Sequence, residues 1–138
     1  MHPTPWRPLG ACLLLLVLGR STPAASDDTP VDALARGASV AQRCASCHRM
    51  EPEGRSRWGP SLLGVMGRPM GAEPSYRYGS YLRTQGTSGA VWSEDALRLW
   101  LQDSKAMARA SDARTKMPAQ RLTDAEIDDL LVFLRTLR

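Results

Sequence analysis

Three stretches of the chain carry a hydrophobic pattern clear enough to assign as helices. Val31, Leu34, Ala38 and Ala41 recur at helical spacing. The preceding Thr29-Pro30-Val31-Asp32 supplies a cap, a proline in the first turn and an acid at the third position. A second helix opens at Ser93-Glu94-Asp95, whose acids suit the positive end of a helix dipole, and Leu97, Trp100 and Leu101 form its inner face. The last spans about 123–137: Thr123 and Glu126 form a capping box, and Ile127, Leu130, Leu131, Leu134 and Leu137 give a broad apolar face. Between these, residues 49–90 are rich in Gly, Pro and Ser with little periodicity and read mostly as loop, with one short helix expected around 62–67. No strand alternation and no internal repeat are visible. An all-α fold of three main helices with short helices and loops is predicted.

The first 26 residues follow a different logic. His2 and Arg7 give a weakly basic start, Ala11 to Leu18 is a greasy stretch of eight, and Ser21 to Ser26 is small and polar. That order is the signature of a secretory signal peptide, with cleavage expected near Ser26. Residues 1–26 are therefore assigned to export, and residues 27–138 to one domain. Cys12 lies before the greasy stretch rather than after it, which argues against lipid attachment. The stretch is too short to span a bilayer. Removing the signal takes Arg7 and Arg20 from the 18 basic residues and none of the 14 acids, so the net charge falls from +4 to +2. A charge so mild and scattered gives no argument for a nucleic-acid partner, and none is expected. Export implies the periplasm, an oxidising compartment where nearby cysteines are paired or chemically occupied.

The domain contains a single Phe, which leaves open what fills its centre. Its two cysteines and its sole histidine are contiguous in Cys44-Ala45-Ser46-Cys47-His48. Two cysteines separated by two residues and followed at once by histidine form the attachment signature of haem c. Each thiol adds across one haem vinyl group, and His48 is then held beneath the iron as an axial ligand. A thioredoxin-like pair would need a βαβ context that the pattern lacks. A zinc site would need two further ligands, and no second Cys or His pair exists. A single motif means a single haem, covalently attached through Cys44 and Cys47.

With one histidine in the domain, the sixth iron ligand is Met, Lys, water or nothing. Met50 is too close to His48 to reach the opposite haem face, and Met107 fits a helical pattern as apolar filler. Met66 and Met70 lie in a Gly-rich loop within reach. Met117 stands in an extended stretch before Pro118, just ahead of the last helix, and ranks first, with Met70 second. Lys105 and Lys116 are minor candidates. A thioether favours Fe(II) over Fe(III) and closes the iron to small molecules, which points to moving electrons rather than binding oxygen or peroxide.

Several fragments in a fixed order resemble the small soluble class I cytochromes c of mitochondria and bacteria. They are Gly37 to Val40, the C-x-x-C-H motif, Gly59-Pro60-Ser61-Leu62-Leu63-Gly64, Gly67-Arg68, Tyr76-Arg77-Tyr78, Trp92 with Glu94-Asp95, Thr115-Lys116-Met117-Pro118 and the ending 129–137. The resemblance covers roughly Val31 to Leu137 and implies the cytochrome c fold wrapped around the haem. It also implies residue roles. Pro60 would offer its carbonyl to the second ring nitrogen of His48. Arg68, Tyr78 and Trp92 would hold the haem propionates, Trp100 would line the pocket on the Met side, and Gly37 would let the first and last helices cross near Leu130 and Phe133. The stretch from Tyr78 to Trp92 and the loop from Trp100 to Met117 look longer than in compact members, and 14 Arg against 2 Lys in residues 27–138 departs from a lysine-ring docking face.

The expected function is that of a periplasmic single-electron carrier cycling Fe(II)/Fe(III) with His48 and Met117 as ligands. No catalytic residue is expected, since the chain is read as an electron-transfer protein rather than an enzyme. Its partners would be redox proteins, with membrane complexes only as docking partners, and the carrier itself a monomer. A haem subunit or dedicated partner of one oxidoreductase would use the same site. A haem enzyme or sensor would need a labile sixth ligand.

Overall fold

The computed structural model describes Met1, residues 29–55 and residues 58–138; the expected signal segment, Met1 apart, lies outside the described residues. Four helices follow in order: α1 (Pro30–Ala45), α2 (Ser80–Thr87), α3 (Glu94–Ala110) and α4 (Asp124–Leu134). The only β pairing among the described residues is an isolated antiparallel bridge between Pro69 and Val91.

α1 and α4 start where their caps dictate. The Thr29 hydroxyl accepts from the Asp32 amide at 3.2 Å while the Asp32 carboxylate accepts from the Thr29 amide at 3.3 Å. Thr123 and Glu126 repeat the arrangement at α4. Each box satisfies two amides that a helix start would otherwise leave unpaired.

The two helices cross at Gly37. A Cβ there would run into the Asp129 carbonyl oxygen and lie 3.0 Å from Phe133 Cβ, so only glycine permits this approach. Arg36 spans the crossing to the Asp129 carboxylate with two bonds, at 2.7 and 2.9 Å. Beneath it, Ala41, Ile127 and Leu130 are fully buried.

Five sequence expectations change. Val31 is 73% exposed rather than inward. The buried face of α1 is centred on Gly37 and Ala41, and at 100° per residue Val31 lies about a third of a turn away from Gly37. Residues 62–67 form turns, not a helix, because Gly64 (φ +60°) and Gly67 (φ +75°) are left-handed and interrupt any helical run. The supposed loop of 49–90 contains α2, an eight-residue helix that buries only Tyr81 and so shows almost no period in sequence. α4 ends at Leu134, short of residue 137. Leu137 still packs on the core, its carbonyl accepting from the Gly64 amide at 3.0 Å.

α3 likewise runs well past Trp100, so most of the stretch from Trp100 to Met117 is helix, not loop. Its one irregularity is Asp103 (φ −158°, ψ 87°), whose carboxylate accepts from the Ala106 amide at 2.8 Å and caps the second half afresh. Residues 111–122 then form a strap leading to α4.

Candidate functional site

The C-x-x-C-H motif closes the last turn of α1. The amides of Cys47 (3.1 Å) and His48 (2.9 Å) both donate to the Cys44 carbonyl, so the helix end itself sets the spacing of the two sulfurs. Both cysteines are free thiols. Burial pushes the Cys44 thiol above its ordinary pKa.

These groups edge a deep cavity. Cys44, Cys47, His48, Pro60, Arg68, Tyr78, Trp92, Trp100 and Met117 all line it, so the fold brings together every site residue named from sequence. Its apolar walls include Leu62, Val65 and Leu82, with Leu97 and Leu101 of α3 and Leu130 and Leu134 of α4. No cluster of three or more His, Cys, Asp or Glu able to hold a metal ion occurs among the described residues.

His48 is held on two sides. Its Nδ1 lies 2.7 Å from the Pro60 carbonyl, which can only accept, so Nδ1 carries the proton and Nε2 keeps its lone pair. Burial, against the opposing pull of this bond, holds the imidazole pKa below its ordinary value and the ring neutral. Gly59 packs flat against the ring: a Cβ there would lie 2.5 Å from Cε1 and 2.9 Å from Nε2. Sequence reading gave Gly59 no role, because nothing local to a Gly-Pro pair announces a ring packed against it.

Met117 comes from the strap, before Pro118. Among the described residues it is the one methionine lining the cavity. Met70, the second candidate, is buried in the core elsewhere, its amide bonded to the Ala90 carbonyl at 2.9 Å. The Trp100 indole N–H donates to Met117 Sδ at 3.0 Å. Lys116 lines the cavity but donates to the Arg77 carbonyl, and Lys105 donates to the Thr115 carbonyl at 3.0 Å. Gly79 lets the strap pass close, since a Cβ there would strike the Arg114 carbonyl.

The three residues expected near propionates differ in what they do here. Arg68 donates to the carbonyls of Leu63 (3.1 Å) and Ser61 (2.6 Å) and so braces the loop behind the cavity. The Tyr78 hydroxyl accepts from the Glu73 amide at 3.2 Å, and burial raises its pKa, so its proton remains for donation. The Trp92 ring is buried, and its indole N–H bonds to nothing among the described residues.

This arrangement fits a covalently attached haem. It offers two thiols at one rim, a neutral imidazole with a free lone pair, a soft thioether, spare donors and otherwise apolar walls. Such a group would supply the large apolar centre that a single Phe cannot.

Comparison with known proteins agrees. The family model for cytochrome c matches residues 34–138. The chain is 29% identical over 111 residues to cytochrome c2 iso-1 of Rhodospirillum centenum, covering 73% of this chain and 92% of that one. It is 30% identical over 106 residues to cytochrome c2 of Afifella marina, with 76% and 82% covered. The solved cytochrome c2 of Rhodospirillum centenum superposes with a TM-score of 0.68 at 26% identity, covering 75% of this chain and 96% of that one. Ferric cytochrome c-550 of Paracoccus versutus gives 0.64 at 26%, with 75% and 96% covered. The chain belongs to the cytochrome c family: it is an electron carrier rather than an enzyme, and its one cofactor is haem c, bound through Cys44 and Cys47.

Proposed function

We propose that the protein is a periplasmic, monomeric carrier in which His48 Nε2 and Met117 Sδ are the two axial ligands of the iron. The observation that carries this reading is the pairing of a neutral, oriented imidazole with one cavity-lining methionine. When bound, haem c supplies a reversible one-electron couple.

The protein's own residues do the rest. Pro60 fixes the imidazole tautomer and raises its basicity as a ligand. Met117 on the strap would offer the iron a soft sulfur, a donor that favours Fe(II). Arg68, Tyr78 and Trp92 line the wall where the propionates would lie, with Tyr78 and Trp92 keeping a proton to donate. Leu62, Val65, Leu97 and Leu101 exclude water, which keeps the change in solvation between oxidation states small.

Residues 1–26 carry the chain to the compartment where haem is attached, and they leave after Ser26. No helix among the described residues is long and apolar enough to cross a membrane. The carrier meets its redox partners, membrane complexes included, by docking.

The test is an optical and redox titration of exported protein beside its Met117→Ala variant. Wild type is expected to show a reversible couple, a sulfur-to-ferric-iron band and no carbon monoxide binding when reduced. Met117→Ala is expected to lose the band and bind carbon monoxide. Retention of the native spectrum by Met117→Ala would exclude Met117 as ligand. Mass spectrometry is expected to find a chain starting at Asp27 plus one haem.

A further inference from the structure

We infer that a second depression, beside the haem cavity, binds a small phosphoryl oxyanion such as inorganic phosphate, and that its occupancy biases the iron towards Fe(III). The depression lies between the loop of residues 71–78, the first turn of α2 and Lys116 of the strap. Three cations line it, Arg77, Arg83 and Lys116, against the one carboxylate of Glu73, a local charge of +2. Two of the cations are held in place by the backbone. Arg83 donates to the Tyr78 carbonyl at 2.9 Å and Lys116 to the Arg77 carbonyl, consecutive acceptors along the chain. Each spends one bond on this anchoring and keeps most of its N–H donors to spare. The Lys116 ammonium also lies 5.6 Å from the centre of the Tyr76 ring.

Elsewhere the protein neutralises its arginines. Arg36, Arg43, Arg98 and Arg135 meet the carboxylates of Asp129, Glu126, Asp128 and Glu94 respectively. Among the described residues no carboxylate reaches Arg77, Arg83 or Lys116, and the Arg77 guanidinium bonds to nothing. Glu73 itself accepts from the Ser75 hydroxyl at 3.1 Å. Like charges gathered without a counter-ion repel one another, and an anion among them relieves that cost. Two planar guanidinium forks and an ammonium offer donors from several directions. A carboxylate accepts in one plane, whereas a tetrahedral phosphoryl group with nearly two negative charges matches both the donors and the +2. The Tyr76 hydroxyl adds a further donor: it has no partner among the described residues, and burial raises its pKa, so its proton stays.

The link to the iron is a shared wall. Tyr76, Tyr78 and Lys116 line both the depression and the haem cavity, so a bound anion lies one side chain away from the haem. Arg68 and Trp92, the other residues expected at the propionates, line the cavity alone. A negative charge behind that wall stabilises the extra positive charge of Fe(III). By linkage, Fe(III) must then hold the anion more tightly than Fe(II) by the same factor. None of this depends on which residue is the sixth ligand.

The experiment titrates inorganic phosphate into exported, haem-loaded protein, with sodium chloride holding the ionic strength constant, and reads the Fe(III)/Fe(II) ratio at fixed solution potential. Phosphate is expected to raise the ratio saturably, about two- to fivefold, and chloride alone to leave it unchanged. In Arg77→Gln the rise is expected to vanish. Arg138→Gln removes the same charge from a residue that lines neither the cavity nor the depression, and should respond as wild type does. An independent reading needs no variant: the phosphorus-31 line of phosphate should broaden over the ferric protein relative to the ferrous one, through proximity to the paramagnetic iron. Phosphatidylglycerol vesicles that compete with phosphate for the protein would support the site and identify a lipid headgroup as a second source of the same group. Vesicle binding with no response to phosphate would overturn the proposal. So would a ratio that follows ionic strength alone, a response that Arg77→Gln leaves intact, or a phosphorus line equally sharp in both oxidation states.

Discussion

The α1–α4 crossing and the strap of residues 111–122 are held by different kinds of force. At the crossing, two helix backbones meet over Gly37, and Ile127, Leu130 and Leu131 are buried to 1% exposure or less. The strap buries little of itself. It hangs on single bonds from Trp100, Ser104 and Lys105, with Asp112 (φ 47°) and Arg121 (φ 52°) in left-handed conformations near its ends. One region is fixed by close packing, which resists any change in volume. The other is fixed by directional contacts, each contributing about 1 kcal/mol. A carrier needs both. The crossing fixes the end of α1 that bears the thiols and His48, and the strap presents the sulfur and can be adjusted without loosening the core.

The largest expected effect is at the crossing. Leu130→Ala should lower the unfolding free energy by about 2–5 kcal/mol through cavity formation, read from the denaturant midpoint of the ferrous holoprotein. Its ferric sulfur band in buffer should stay as in wild type. A band lost before global unfolding would show that the two regions are not separable. Gly37→Ala comes next, at about 1–3 kcal/mol, because a Cβ must displace the α4 backbone.

Smaller still is Thr123→Ala, expected to cost about 1 kcal/mol by opening the α4 capping box, with no change in potential. Lys105→Met should leave global stability within about 1 kcal/mol of wild type while quickening displacement of the sulfur by added imidazole, followed by the decay of the ferric band. An unchanged displacement rate would mean that the strap does not depend on this bond.

The mildest effect is that of acid. Bonding to Thr29, Arg135, Thr123 and Arg36 holds the carboxyls of Asp32, Glu94, Glu126 and Asp129 respectively below their ordinary pKa values. A depressed folded pKa gives stability that is present above the unfolded value and lost as pH falls through the folded one. Thermal stability should therefore decline below about pH 4.3, where unfolded carboxylates begin to take protons. Asp129→Asn should flatten that decline, since it removes one of the four groups. Asp32 is exposed and Glu94 and Glu126 are half-exposed, so their share of the slope should also shrink in high salt, whereas Asp129, its side chain only 14% exposed, should be screened less.

Position along the chain explains which parts of this site were legible. The haem motif and both capping boxes were readable because each depends on residues within four positions of one another. The same holds for the starts of α1, α3 and α4. α2 was hidden because eight residues burying one Tyr give no period to detect. The helix expected at 62–67 failed because the left-handed glycines outweighed the apolar residues around them.

The sequence by itself determined the chemistry of the protein: two thiols and an imidazole at fixed spacing, one soft sulfur before a proline, and helices that begin at their caps. These are local facts, settled by covalent geometry and by hydrogen bonds spanning three or four residues. Only the tertiary structure decided that Gly59 lies against the His48 ring, that Trp100 bonds the Met117 sulfur, that Arg68 braces carbonyls and that Val31 faces water. Each of those depends on which surfaces meet after the chain has closed on itself, and close packing permits one answer that no short window of sequence contains.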